Sequence, residues 1–207
     1  MLLATLGWGG WREYDFRCAV REARAAAPDF RMDESPLGQI RGDWHAAFDK
    51  DTWTDRERRL IVPDSRDLAP LRPLLHRLGP TVLQVSDGQH LEALQGLTEL
   101  KRIFLPECAA LQNVDGLRGL AGLKQLDLER CTALQNVDAL RGHTGLQRLY
   151  LGGCHALQSV DGLRSLTGLQ RLWLKGCNNI PVSALRELRA ALPKADIIFP
   201  DGTATTP

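Results

Sequence analysis

The stretch LQNVDGLRGLAGLKQLDLERCTA, beginning at Leu111, recurs as LQNVDALRGHTGLQRLYLGGCHA from Leu134 and as LQSVDGLRSLTGLQRLWLKGCNN from Leu157, a step of 23 residues without insertion. A fixed period of this length, with leucine held at fixed phase, demands a stack of similar coils. No single copy can bury its own apolar face. Such a chain folds as a solenoid, and solenoids present surfaces more readily than they build catalytic clefts.

A fourth copy, GQHLEALQGLTELKRIFLPECAA from Gly88, keeps Leu91, Leu94, Leu97, Leu100, Ile103, Leu105 and Cys108 in phase. Upstream the phase breaks: DLAPLRPLLHRLGP predicts a short helix and TVLQV a strand over Thr81–Val85. Downstream, Leu185, Leu188 and Leu192 fall at helical spacing, with Ser183 as the expected N-cap, before a last strand in ADIIF. The tail, 200–207, is small and polar and is expected to be disordered.

Within a repeat, Leu126 and Leu128 alternate and so share one face of a strand. Val114, Leu117, Leu120 and Leu123 return the chain to the core, and Asp115, Asp138 and Asp161 stand where each can cap a short helical turn. Stacking buries these leucines at roughly 1.5–3 kcal/mol per large side chain. LKQLDLERCTAL, from Leu123 to Leu134, resembles the leucine-rich repeat pattern L-x-x-L-x-L-x-x-N/C-x-L. The resemblance covers roughly 66–199 and is specific over 88–179. The VDGL segments are similar to the short-repeat, internalin-like class of bacterial proteins, although cysteine always fills the asparagine position and each turn is one residue longer than usual there.

The resemblance implies an α/β solenoid with a parallel sheet on the concave face and short helices or turns on the convex face. The expected organisation is an α-rich N-terminal cap or small domain over 1–65, then a repeat domain over 66–199. That domain divides into an irregular first repeat (66–87), regular repeats (88–179) and a C-terminal capping helix and strand (180–199). Residues 1–65 hold Trp8, Trp11, Trp44 and Trp53, and YDFRCAVREARAAAP reads as a helix ended by Pro28, with a second helix expected around 38–48.

Cys108, Cys131, Cys154 and Cys177 occur once per repeat, a straight ladder that cannot surround a metal tetrahedrally. Their resemblance-implied role is to satisfy buried loop backbone, and no metal or cofactor is expected. Cys18 stands alone. Asp49 and Asp51 sit in FDKDTWTD, but Thr54 and Leu60 occupy the places where a calcium loop needs glycine and glutamate. His45, His76, His90, His143 and His155 are dispersed and form no catalytic set. His143 takes a leucine phase, which implies a partly exposed or hydrogen-bonded site. Arg17, Arg21 and Arg24 make a helical stripe, and Arg118, Arg141 and Arg164 an outer column whose plainer role is pairing with nearby aspartates or solvation.

Function is expected where the copies disagree. The outward strand positions give a column of Phe104, Asp127, Tyr150 and Trp173, beside one of Arg102, Gln125, Arg148 and Arg171. A third column holds Pro106, Glu129, Gly152 and Lys175. Aromatic residues and arginine dominate binding hot spots, and the core does not require them here. Cross-strand packing or coverage by a terminal element is the plainer reading. The expected function is non-catalytic recognition of a protein partner on the concave face, of effector, adaptor or inhibitor type. An enzyme with its chemistry in 1–65 and a nucleic-acid binder are the alternatives. A formal net charge of +1 gives no global case for nucleic acid or membrane. The start MLLATLGWGG lacks a basic signal-peptide segment, so a cytoplasmic location is expected, with export by a signal-independent route left open.

Overall fold

A computed structural model describes residues 31–33, 59–62, 72, 75, 80–86 and 88–205. Among them, nine strands form one sheet in sequence order: β1 (Arg31–Asp33), β2 (Arg59–Val62), β3 (Val82–Val85), β4 (Arg102–Phe104), β5 (Gln125–Asp127), β6 (Arg148–Tyr150), β7 (Arg171–Trp173), β8 (Asp196–Ile198) and β9 (Ala204–Thr205). Strands β2 to β8 run parallel, while β1 and β9 close the two edges antiparallel. Parallel neighbours that follow each other in sequence need a crossover. Here it is one short 3-10 turn per coil: η1 (Leu91–Leu94), η2 (Asp115–Leu117), η3 (Asp138–Leu140) and η4 (Asp161–Ser165). A helix, α1 (Val182–Ala191), makes the last crossover.

The 23-residue step becomes the register. Ile103 pairs with Leu126, Leu126 with Leu149 and Leu149 with Leu172, all completely buried. Val114, Val137 and Val160, with Leu117, Leu140 and Leu163, face them from the turns. Backbone bonds continue beyond the strands, from Leu128 N–H to the Tyr150 carbonyl (2.8 Å) and from Leu151 N–H to the Trp173 carbonyl (2.9 Å). The coils approach so closely that a Cβ on Gly122 or Gly168 would lie 2.3 or 2.2 Å from the Thr98 or Thr144 carbonyl oxygen. Glycine at these two places is a stacking requirement.

Several local expectations change. The N-cap positions of η2, η3 and η4 are Val114, Val137 and Val160, without side-chain caps. Asp115 is already inside its turn. Its N–H donates to Asn113 Oδ1 (3.0 Å), and its carboxylate turns outward to Arg118 (2.8 Å). Helix α1 starts one residue before Ser183, with Pro181 at the N-cap, because proline's fixed φ suits a helix entrance. Within the described part of the 200–207 tail the chain forms a turn and a strand. Asp201 Oδ1 accepts bonds from Thr203 N–H and Oγ1 (2.9 and 2.7 Å), and the turn returns β9 onto β8.

The N-terminal expectation meets a boundary difference. β2 lies within 1–65 yet continues the parallel register onto β3, so the sheet begins before residue 66. The two helices expected there, the four tryptophans, Cys18, Asp49 and Asp51, His45 and the Arg17–Arg21–Arg24 stripe lie outside the described residues. Among the described residues, no helix is long and apolar enough to cross a membrane.

His143 shows how the stack tolerates a polar substitution. It replaces a core leucine and is buried, with Nδ1 3.0 Å from the Leu140 carbonyl and Nε2 3.1 Å from that of Leu117. One ring thus bridges two successive turns at carbonyls that also accept the Leu120 and His143 backbone N–H groups.

Candidate functional site

The parallel register brings the sequence-predicted columns together on the sheet face turned from the core. Phe104, Asp127, Tyr150 and Trp173 are successive partners, and so are Arg102, Gln125, Arg148 and Arg171. Both columns extend one strand further, to Asp196 beside Arg171 and Ile198 beside Trp173. Alternation within ADIIF was the available signal for these two. At the other end, Val82 and Gln84 of β3 continue the columns.

Burial divides the predicted residues. Phe104, Gln125, Asp127 and Tyr150 are buried, the last two with 4 % of their surface exposed. Arg102, Glu129, Arg148 and Trp173 are half-buried, whereas Arg171 and Lys175 are exposed. Accessible surface among the predicted residues therefore concentrates on β7 and its following loop.

The buried part is a polar and aromatic cluster. Asp127 Oδ1 accepts the Glu129 N–H at 3.0 Å. Burial pushes its carboxyl from 3.8 up to about 6, against that hydrogen bond and with the help of the Glu129 charge. Burial also raises Glu129, opposed by Arg130. The Tyr150 hydroxyl is raised by burial, opposed by the charges of Arg171 and Arg148 and by a hydrogen bond from Arg171. Arg171 Nε lies 3.8 Å from Asp196 Oδ2, so this arginine joins the Tyr150 and Asp196 side chains.

Beside the cluster, the Trp173 indole rests on Gly152. A Cβ there would lie 3.1 Å from Trp173 Cδ1. Glycine in the third column is thus explained by the tryptophan on the next strand, a pairing the separate columns did not reveal.

On the opposite side, Arg118 and Arg164 pair with Asp115 and Asp161 at 2.8 and 2.7 Å, and Arg164 also with Glu187 at 2.6 Å. The outer arginine column is a set of ion pairs at these two positions; Arg141 is exposed. Such exposed pairs contribute ~0–1 kcal/mol each.

The cysteines complete the loop geometry. Cys131 Sγ donates to the Leu105 carbonyl (3.1 Å), Cys154 to Leu128 (3.1 Å) and Cys177 to Leu151 (2.9 Å), each reaching 26 residues back. Cys108, at the irregular start, instead reaches the Ser86 carbonyl at 3.4 Å. The neighbouring Cys177 thiol and burial hold the Cys154 thiol far above its ordinary range, which keeps it a protonated donor. One parallel strand, one turn and one thiol-capped loop recur per coil.

The fold is a leucine-rich repeat solenoid.

Solved structures similar to this solenoid include a leucine-rich repeat protein of Leptospira interrogans, 23% identical over 56% of this chain and 29% of that one, with a TM-score of 0.42. An internalin of Listeria monocytogenes is 19% identical over 94% of this chain and 58% of that one, with a TM-score of 0.49. The chain spans less than two thirds of either protein's length. Neither a family model nor a curated protein matches it.

Proposed function

We propose that the chain is a non-catalytic protein-recognition module whose contact surface is the sheet face of the solenoid, centred on Trp173, Arg171 and Lys175. The observation that carries this reading is the half-buried Trp173 indole, its Cδ1 edge against Gly152, with the exposed cations Arg171 and Lys175 two residues to either side along the chain. Its position is set by the parallel register, so little conformational entropy is lost when a partner docks. Tryptophan and arginine are the residue types that most often supply binding energy at interfaces. Tyr150, then Asp127 and Gln125, then Phe104 continue the face away from this patch on β6, β5 and β4 as its buried part. Arg102, Arg148 and Glu129 form its flank. An effector, an adaptor and an inhibitor would all use a surface of this kind.

Affinity capture with the intact chain, using Trp173→Ala as a parallel bait, supplies the partner. Binding of that purified partner is then measured directly. Trp173→Ala weakens it by ~2 kcal/mol or more while leaving the thermal transition in place. Tyr150→Ala is a poorer probe, because truncating a buried ring costs stability as well. A partner bound equally by both baits removes the sheet-face reading.

A further inference from the structure

Terminal coils of solenoids require a polar outer surface, since no further coil covers them. The last coil here departs from that rule. Between α1 and the β8–β9 hairpin lies a groove of about 570 Å³, floored by Ile180 and walled by Leu185, Phe199 and Pro200. Val182 stands at its rim with 65% of its surface exposed, the exposed large apolar side chain among the described residues. Val182, Leu185, Arg186 and Arg189 follow one another at i, i+3, i+4 and i+7, so one stripe of α1 faces the groove. The volume falls within the roughly 300–1,000 Å³ of small-molecule sites.

The charges of the groove are unequally committed. Arg189 Nη1 donates to the Ala195 carbonyl at 2.9 Å, which fixes this guanidinium against the chain leaving α1 without neutralising its charge. Asp201, on the hairpin wall, is engaged by Thr203. Arg186 is exposed and makes no ion pair among the described residues. An uncommitted cation thus stands beside an apolar trough, with the acidic side chain on the opposite wall.

We propose that this groove binds a small amphipathic carboxylate, its apolar body lying over Ile180, Leu185 and Phe199 and its carboxylate on Arg186. The site is separate from the sheet face and needs no partner protein. Val182 provides an apolar lip, and Asp201 orients the ligand by repelling its charged end toward α1.

Calorimetric titration of the full chain with decanoate, below its micelle concentration, tests the assignment, with decyltrimethylammonium as the charge-reversed control. Saturable binding of one decanoate per chain is expected, with the cationic analogue much weaker. Arg186→Glu lowers the affinity about tenfold or more, and Arg186→Lys retains part of it. Both changes are on an exposed position, so circular dichroism remains that of the parent. Trp173→Ala leaves decanoate binding unchanged, which separates this site from the sheet-face patch. Absence of saturable binding, equal binding of the cation, or indifference to Arg186→Glu overturns the proposal. So does a dimer in sedimentation that Val182→Glu dissolves, because the groove is then filled by a second copy.

Discussion

Arg130 Nη1 donates to Glu107 Oε1 over 2.8 Å, and these two residues, one repeat apart, share a left-handed backbone with φ of 59°. In the next two coils the same phase holds Gly153 and Gly176, with φ of 76° and 82°. The loop geometry therefore demands a positive φ at every coil, and two copies meet the demand with residues that are strained there. The ion pair is exposed and worth ~0–1 kcal/mol. Arg130→Gly is expected to leave stability unchanged or raise it by up to ~1 kcal/mol despite losing the pair, whereas Arg130→Val lowers it by ~1 kcal/mol or more. Urea unfolding of the two variants decides whether backbone strain or the ion pair dominates.

The thiol ladder predicts both reactivity and stability. Cys108, Cys131, Cys154 and Cys177 are buried and donate to carbonyls, so iodoacetamide should label them only as the solenoid unfolds. Cys154→Ala takes one of two donors from the Leu128 carbonyl, which keeps the Cys131 N–H at 3.2 Å, and should cost about 0.5–1.5 kcal/mol. Rapid labelling of Cys154 in the folded chain contradicts this assignment.

Asp127 gives the fold a pH dependence of defined sign. Its folded carboxyl is raised from 3.8 to about 6, so between those values the folded chain binds more protons than the unfolded one. Its contribution to stability therefore falls as pH rises from about 4 to 6 and stays low above. Asp127→Asn keeps an acceptor for the Glu129 N–H without the buried charge. It should be more stable than the parent by up to roughly 2–3 kcal/mol at pH 7, with little gain at pH 4. Chemical denaturation at the two pH values checks this, and an equal difference at both rules it out.

Two glycines of the same phase should respond unequally to alanine. At Gly168 a Cβ meets the Thr144 carbonyl oxygen at 2.2 Å, and backbone cannot move aside, so Gly168→Ala should cost about 3 kcal/mol or more. At Gly145 the nearest atom is Lys124 Nζ at 3.1 Å, the end of a flexible side chain. Gly145→Ala should remain within roughly 0.5 kcal/mol of the parent. Comparable melting temperatures for both variants would falsify the stacking account.

The repeat by itself determined the solenoid, because period and phase are properties of the chain and only a stack buries leucines spaced this way. It also determined which residues share a sheet face, since alternation in a strand and a constant step leave no freedom in the columns. The ladder of cysteines followed for the same reason. Tertiary structure decided what no column contains. Burial of Asp127 and Tyr150 depends on everything that lies over the sheet, and the seat of Trp173 on Gly152 depends on contact between two coils. The return of residues 204–205 onto β8 and the groove beside α1 arise at the end of the stack, where periodicity stops. Period fixes a residue's place in the coil. Its exposure, charge state and neighbours are set by atoms distant in sequence, and those exist only once the coils have stacked.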